Sequence, residues 1–492
     1  MKIGDTESVP YLTSIWNEEL VNKCNFPNNL KLADVTPVFK KNSATTASNY
    51  RPVSVLPTVS KFFERLMHKQ ISGFINESLS PYLCGYRSGF NTQNALLHLI
   101  EKWKKTLDSK GYMGAVLMDL SKAFDTINHE LLIAKLNAYG FSKEALNLIL
   151  SYLKDRLQHV KINFSFSDWS QILRGVPQGS VLGPLLFNIY LNDLFFILKE
   201  SDICNFADDT TPFVCDFSLN KTLLKLEENS LLAIAWFENN YMKLNTDKCH
   251  LLVSGHKFEH TFVNVGSDKI WESKDVKLLG VTIDNELKFD KHIANLCLKA
   301  NQKLSALNRI GRFLSVEKRR TLYKAFVQAQ FKYCPLIWMF CSRTCNNKIN
   351  KIHERALRFV YNDYNSTFDS LLERDNSFTI HHQNLQTLAI EIFKEINGIT
   401  KGNLGVDFCL KETFRTLRSN SELHIPSVRN VSSGKGSIRY FGPVLWNMIP
   451  FEIRNLSFND FVSKIKEWKP DKCPCRICSN YIANVGFIEL ME

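Results

Sequence analysis

The chain has 492 residues, 45% of them apolar, including 35 Phe. It is long and apolar enough for several packed units, which excludes a disordered tail or a small disulfide-stapled fold. Lys and Arg number 61 against 49 Asp and Glu, a net charge of +12, and such an excess favours a polyanionic partner, nucleic acid or an anionic membrane surface.

In chain order, Pro52 and Pro57 punctuate an extended stretch ahead of a first helix, where Val59, Phe62, Phe63, Leu66 and Met67 recur at helical spacing. Leu96, Leu99, Ile100, Trp103 and Leu107 repeat that spacing, with Thr92 as the expected N-cap. The period then changes: Gly114 to Met118 is a short apolar run that predicts a buried strand ending at Asp119. Helices are expected from Asp125 to Tyr139, stopped by Gly140, and from Lys143 to Leu153. Val181 to Leu198 is nearly long enough to cross a bilayer, but Pro184, Asn188, Asn192 and Asp193 are costly there, so it reads as a buried helix and no membrane partner is expected. Ile203 to Ala207 and Thr210 to Cys215 predict a hairpin with Asp208 and Asp209 at its turn; a helix over 219–239 and strands at 250–254 and 277–283 follow. The alternation gives an α/β (α+β) unit. From Phe289 the pattern is helical: a stripe of Ile293, Leu296, Ala300, Leu304 and Leu307, a second helix capped by Ser315, and a third near 346–361. Beyond Asn397 scattered glycines predict looser structure. Met1 to Leu20 has no apolar signal core and the 13 cysteines are scattered, so an intracellular, reducing setting in nucleus or cytoplasm is expected.

The charge is unevenly placed. Between Glu286 and Arg358 stand 16 Lys and Arg against 4 Asp and Glu, the whole of the excess. The carboxylates that matter lie elsewhere. Asp119 closes an apolar strand and Asp208 and Asp209 occupy an apolar hairpin. Each alone is explained by turn or N-cap chemistry. Three together at one sheet edge repel one another unless cations lie between them, and Mg²⁺ is the hard, oxygen-liganded choice.

The strings around them are specific. LMDLSKAFDTINHELL at 117–132, RGVPQGSVLGPLLFNIYLNDL at 174–194 and FADDT at 206–210 stand in one order, preceded by KLADVTPVFKK, NYRPVSVLPTVSKFFE and CGYRSGFNTQNAL and followed by WFENNYMKLNTDKCHLLV and KLLGVTID. This set resembles the reverse transcriptases of non-LTR retrotransposons (LINE, jockey-like). The resemblance implies a right hand: fingers and palm over 31–283 with an antiparallel sheet, a basic helical thumb over 284–362, and a C-terminal region over 363–492. It implies that 1–30 is a truncated approach segment, in a reading frame expected to carry an endonuclease upstream. The implied activity is RNA-directed DNA synthesis from dNTPs and a DNA primer or target-DNA 3′-OH on an RNA template, with two Mg²⁺ ions, or Mn²⁺ in their place. Two other readings stay open: a catalytically inactive or domesticated nucleic-acid-binding relic, and a purely structural RNA-binding protein.

Carried residue by residue, the resemblance makes Asp119, Asp208 and Asp209 the metal-binding acids, with the Leu120 carbonyl beside them. Ser121 and Lys122 fall in the nucleotide site. Phe124 matches the aromatic gate against a ribose 2′-hydroxyl; Asp125 is as well explained as a helix cap. Gln178 and Gly179 match the loop against nucleotide and template base, and Arg51 and Arg87 are candidates for phosphate contacts. Lys248 matches the general acid for pyrophosphate, and Leu279 and Gly280 the primer-gripping hairpin. Lys299, Lys303, Arg309, Arg312, Lys318, Arg319 and Arg320 would hold the duplex through its phosphates. Cys473, Cys475 and Cys478 form C-x-C-x-x-C, candidates for three of the four ligands a zinc site needs, the fourth to come from Cys409 or His424 through the fold. Reversing the charges at Lys318, Arg319 and Arg320 is then expected to weaken template–primer binding and flatten its salt dependence, measured by titrations at several salt concentrations.

Overall fold

The structure, a computed structural model, describes residues 8–40, 43–198, 202–258, 260–311, 313–399, 405–411 and 422–470. Arg312 and the cysteines at 473, 475 and 478 lie outside the described residues.

Two sheets organise the first 284 residues. β1 (Leu32–Phe39) and β2 (Tyr50–Val55) pair antiparallel, with Pro37 opposite Pro52. They are followed by α1 (Thr58–Ile75), whose predicted stripe buries Phe63 and Met67, and α2 (Thr92–Asp108), fully buried along Leu96, Leu99, Ile100 and Trp103. β3 (Tyr112–Leu117) and the short β4 (Leu120–Ser121) come next, then α3 (His129–Ala138) and α4 (Lys143–Leu153). β5 (Arg156–Ile162) returns to lie parallel to β1, and β6 (Ser165–Phe166) and β7 (Ser170–Ile172) both pair with it, which completes a five-stranded sheet. α5 (Gly183–Leu191) precedes the hairpin β8 (Asp202–Phe206) and β9 (Asp209–Asp216). α6 (Leu219–Asn239), β10 (Lys243–Leu244), which pairs with β4, and β11 (His250–Ser254) follow. The second sheet is antiparallel, in the order β11-β3-β9-β8. Two further hairpins, β12 (Phe262–Val265) with β13 (Asp268–Trp271) and β14 (Asp275–Leu278) with β15 (Val281–Asp284), lead into the helices.

The second sheet is covered on both faces, which is why β3 is apolar throughout. Met113, Ala115 and Leu117 enter one core with α2 and the later helices, while Val116 and Met118 enter another with α1, α5 and α6. The first of these cores is continuous through α7 (Asp290–Gly311), α8 (Val316–Leu322), α9 (Arg343–Tyr361), α10 (Phe368–Asp375), α11 (Ile380–Ile396), α12 (Ile438–Met448) and α13 (Phe458–Glu467). A polar seam fastens the C-terminal residues to α2. Buried Asp108 accepts from the Arg429 and Asn430 amides at 2.9 and 2.8 Å and meets Arg439 at 3.1 Å, and Lys104 donates to the Gly436 carbonyl at 2.7 Å. Buried charges are tolerated because each has partners.

Several local expectations are corrected. The cap of α2 is Asn91, which accepts from the Asn94 amide at 2.9 Å, not Thr92. The helix foreseen from Asp125 starts at His129 behind an Asn128 cap, and Asp125 closes a 3₁₀ turn. The 181–198 helix is interrupted after Leu191 and resumes at Leu194–Ile197; at the interruption the Asn192 side chain accepts from the Ser80 amide and donates to the Ser78 carbonyl and the Tyr139 hydroxyl. The strand at 277–283 is the β14–β15 hairpin, turning on Leu279 and Gly280, both at positive φ. The third helix after 289 begins at Arg343 rather than near 346, capped by Ser342. Most of residues 438–467, expected to be loose, is helical, and Gly442, one of the glycines behind that expectation, sits inside α12 next to Pro443. Among the described residues no helix is long and apolar enough to cross a membrane.

Two cations expected at a duplex have internal partners. Arg319 donates to the Phe359 carbonyl at 3.0 Å, and Arg320 meets buried Asp375, Nε to Oδ1, at 2.8 Å. Asp375 also accepts from the Tyr361 hydroxyl at 2.9 Å. Arg320→Ala leaves that carboxylate under-compensated in the interior and is expected to destabilise the fold by about 3 kcal/mol in denaturant titrations. The exposed Lys318 is therefore the clean position for testing duplex binding, and the triple reversal would disturb packing as well.

Candidate active site

The β8–β9 hairpin has a two-residue turn, Ala207 and Asp208, between the paired Phe206 and Asp209. Ala207 lies at φ +59, a left-handed conformation that costs a residue bearing a Cβ about 1 kcal/mol or more. The surroundings over-determine it. Fully buried Asn205 donates to the Ala207 carbonyl at 3.1 Å, the Asp209 carbonyl at 3.3 Å and the Thr210 hydroxyl at 3.0 Å. Gly85 lies so close that a Cβ there would stand 2.2 Å from the Ala207 nitrogen. The Gly85 carbonyl is itself held by Asn188 of α5 at 2.7 Å. These contacts fix Asp208 at the tip and Asp209 at the head of β9.

Asp119 reaches the same place from β3. The Met118 amide donates to the Thr210 carbonyl at 2.9 Å, and Met118 bridges Thr210 in antiparallel register. Continued by one residue, that register sets Asp119 opposite Asp209. The Asp119 carbonyl accepts from the Asn245 amide at 2.8 Å, and its carboxylate meets Lys248 Nζ at 3.0 Å.

Asp119 and Asp208 open into a cleft of about 1630 Å³ between the two sheets, which Leu120, Ser121, Lys122, Phe124, Gln178, Gly179, Arg51 and Lys248 also line. Asp209 is not on its wall. Partial burial first, then the charges of Asp208 and Asp119, push its pKa up to about 6. Among the described residues no three His, Cys, Asp or Glu side chains are gathered closely enough to form a metal site as they stand. The donor chemistry still suits a hard divalent cation: two open carboxylates, and a third beside them whose proton affinity is raised by burial first and then by its two acidic neighbours. The Lys248–Asp119 pair is largely solvent-exposed, so its coupling is weak and exchangeable.

Phe124 stacks on buried Phe187 at 4.7 Å and meets Tyr86 edge-on at 5.8 Å, so its ring is a braced wall of the cleft. The Gln178 amide donates to Asp125 at 3.0 Å, and its carbonyl accepts from the Ser54 amide of β2 at 2.7 Å. At Gly179, φ +121, a Cβ would stand 2.5 Å from the Ser54 carbonyl oxygen, so only glycine lets the loop lie against β2. Behind this loop buried Glu64 of α1 accepts from the Val181 and Leu182 amides at 2.6 and 3.2 Å.

Not every expected residue arrives here. Arg87 donates to the Ser80, Leu83 and Asn76 carbonyls and lies 4.5 Å over the Phe90 ring, off the cleft wall. Leu279 and Gly280 form a turn whose Leu279 carbonyl accepts from Tyr333 at 2.7 Å, also off the wall. Lys299, Lys303 and Arg309 lie along α7, with Arg309 in its last turn. Sequence reasoning passed over Tyr86, Lys40 and Asn245, which line the cleft, and Glu64. A charge inside the apolar stripe of α1 was the available signal for Glu64.

Residues 39–283 match the family described as reverse transcriptase (RNA-dependent DNA polymerase). The chain is 26% identical over 401 residues to the probable RNA-directed DNA polymerase from transposon BS of Drosophila melanogaster, covering 78% of this chain and 44% of that protein. It is 25% identical over 407 residues to the RNA-directed DNA polymerase from mobile element jockey of the same species, covering 80% and 44%. It thus spans less than half the length of these relatives. Apo telomerase from Candida tropicalis aligns at 12% identity over 75% of this chain and 64% of that one, with a TM-score of 0.42.

Because the folded-state pKa of Asp209 lies above that of an unfolded aspartate, its protonated form is favoured by folding. That contribution is intact at low pH and lost as pH rises through about 6. Without added divalent cation, Asp209→Asn is expected to leave stability unchanged below about pH 4 and to raise it by up to about 1 kcal/mol above pH 6, allowing for solvent screening; urea titrations across pH measure this.

Proposed function

The chain belongs to the reverse transcriptases of non-LTR retrotransposons, with a right-hand fold of mixed helix and antiparallel sheet, and on that footing we propose that it extends a DNA primer or target-DNA 3′-OH on an RNA template. The fingers and palm are 31–283, the thumb 284–362, and 363–492 form a C-terminal region. The observation that carries this reading is the meeting of Asp119 and Asp208, from a strand end and a hairpin tip, in a cleft whose rim holds Arg51, Lys40, Lys122 and Lys248. Acids on the floor and cations on the rim suit a substrate that brings phosphates together with metal.

Divalent cations, Mg²⁺ or Mn²⁺, supply the activation of the 3′-oxygen and the neutralisation of pyrophosphate when bound. Asp119 and Asp208 would hold them, with the Leu120 carbonyl as a neutral ligand and Asp209 as the adjoining acid. In the reaction the primer 3′-oxygen bonds to the α-phosphorus of the dNTP, the bond to the bridging oxygen breaks, and pyrophosphate leaves. Lys248 stands beside Asp119, where its ammonium can donate a proton to that leaving group. Arg51 and Lys122 meet the triphosphate, and Ser121 lies on the same wall. The Gln178–Gly179 loop lies against the nascent pair. The braced Phe124 ring takes the space a ribose 2′-hydroxyl would need, and a rigid ring discriminates by clash. Leu279 and Gly280 steady the primer end. Lys299, Lys303, Arg309 and Lys318 are the outward cations for the duplex, and a zinc ion at the C-terminal cysteines is part of the same proposal, tested by metal content after their removal.

The test is primer extension with RNA template, DNA primer, dNTPs and Mg²⁺. Asp208→Ala is expected to lower the rate at least about a thousandfold, and Phe124→Val to admit ribonucleotides while keeping deoxynucleotide incorporation. Well-folded wild-type protein that binds template–primer but makes no product would favour the inactive, nucleic-acid-binding relic.

A further inference from the structure

A second pocket, of about 440 Å³, opens between the amino end of α2, the 331–335 segment and α11. Its wall includes Thr92, Gln93, Lys332, Tyr333, Gln383 and Asn384. The volume is that of a small-molecule site, and no role assigned above uses it.

Two features point to a ligand. The first is Asn384, 95% buried as a residue, which lines the pocket and makes no side-chain hydrogen bond among the described residues, so that its amide faces the pocket's solvent. Its neighbour Gln383 is satisfied, donating to the Phe378 carbonyl at 2.7 Å and accepting from Gln328 at 3.0 Å. An amide held in a wall and facing only solvent can exchange that water for the polar groups of a ligand. The second is charge. Lys332, on the pocket wall, shares its surroundings with Lys324 and Lys466, and its pKa is lowered by partial burial and then by those two ammonium groups. Among the described residues none of the three lysines makes an ion pair. Three unpaired cations from three segments are an anion-seeking arrangement. The Lys466 end of α13 is held in place by Gln386, which donates to the Lys466 and Trp468 carbonyls at 3.0 and 2.9 Å.

The pocket is within reach of the active site along one strand. Tyr86 lines the catalytic cleft and Asn91 lines this pocket. The five residue steps from one to the other extend to at most about 18 Å, about five steps of a nucleic-acid strand at 3.4 Å each. Tyr333, on the pocket wall, is also the residue bonded to the Leu279 turn.

We propose that this pocket holds one phosphate-bearing nucleotide of the nucleic-acid strand that leaves the catalytic cleft, its phosphate on Lys332 with Lys324 and Lys466 behind, and its base or sugar on the Asn384 amide and the Tyr333 ring. The inference rests on the polymerase reading. It adds a discrete anchor a few nucleotides from the site of addition.

The full chain is titrated with a labelled RNA template and DNA primer at several salt concentrations. Lys332→Ala and Asn384→Asp are each expected to weaken binding about tenfold, and Lys332→Ala to lower the salt slope by about one. Lys332 is an exposed side chain, so its removal leaves the core intact even if the change at Asn384 disturbs folding. A set of primers with one neutral methylphosphonate linkage each locates the phosphate: at one position within about five nucleotides of the 3′ end the substitution should weaken wild type and add nothing in Lys332→Ala. Binding by both variants within twofold of wild type, or methylphosphonate effects identical in wild type and Lys332→Ala at every position, overturns the pocket and leaves the polymerase reading standing. Wild-type protein that neither binds nor extends the primer overturns both.

Discussion

A single strained turn holds the candidate site together. Ala207 is kept in a left-handed conformation by Asn205 from within the hairpin and by the bare backbone of Gly85 from outside it. The strain is of order 1 kcal/mol and persists because the fold over-determines it. Release it and Asp208 leaves the cleft floor, and Asp209 loses its place opposite Asp119. The chemistry proposed for the cleft depends on these carboxylates being brought close against their mutual repulsion. The fold imposes that closeness through backbone hydrogen bonds and excluded volume, since the charges themselves oppose it.

The rigidity beneath the turn comes from burial. The β3 strand sends alternate side chains into two separate cores, so its path is fixed from both faces and its end at Asp119 inherits that precision. The same principle braces the wall of the cleft, where Phe124 lies between the buried ring of Phe187 and the half-exposed Tyr86. Glu64 completes the frame: a buried carboxylate capping the start of the α5 segment just behind the Gln178–Gly179 loop, worth retaining because two backbone amides satisfy it.

The positive charge divides into two kinds. Arg87, Arg319 and Arg320 are committed to carbonyls and a buried carboxylate; as planar donors that match fixed acceptors, they act as internal brackets. Lysines such as Lys318, Lys324 and Lys332 make no ion pair among the described residues and keep their charge for a partner. The count of cations in the sequence therefore overstates how many are presented to a polyanion.

Much was legible in the sequence because it is local. Helical spacing marked α1, α2, α6 and α7, apolar runs marked β3, β8, β9 and β11, and the ordered motif strings identified the family and singled out the carboxylates and the Gln178–Gly179 loop as candidates. What the sequence could not give is what depends on a distant partner. Asn192 is buried in an apolar segment because its side chain meets the backbone of Ser78 and Ser80. Arg87 turns inward because three carbonyls converge on it. Pro443 stays helical because tertiary packing holds α12, and Tyr86 becomes a wall of the cleft because the fold brings it against Phe124. Spacing and chemistry along the chain determined which residues could do the work. Only the packing of segments far apart in sequence decided which of them meet, since hydrogen bonds and excluded volume between such segments leave no periodic trace in either one.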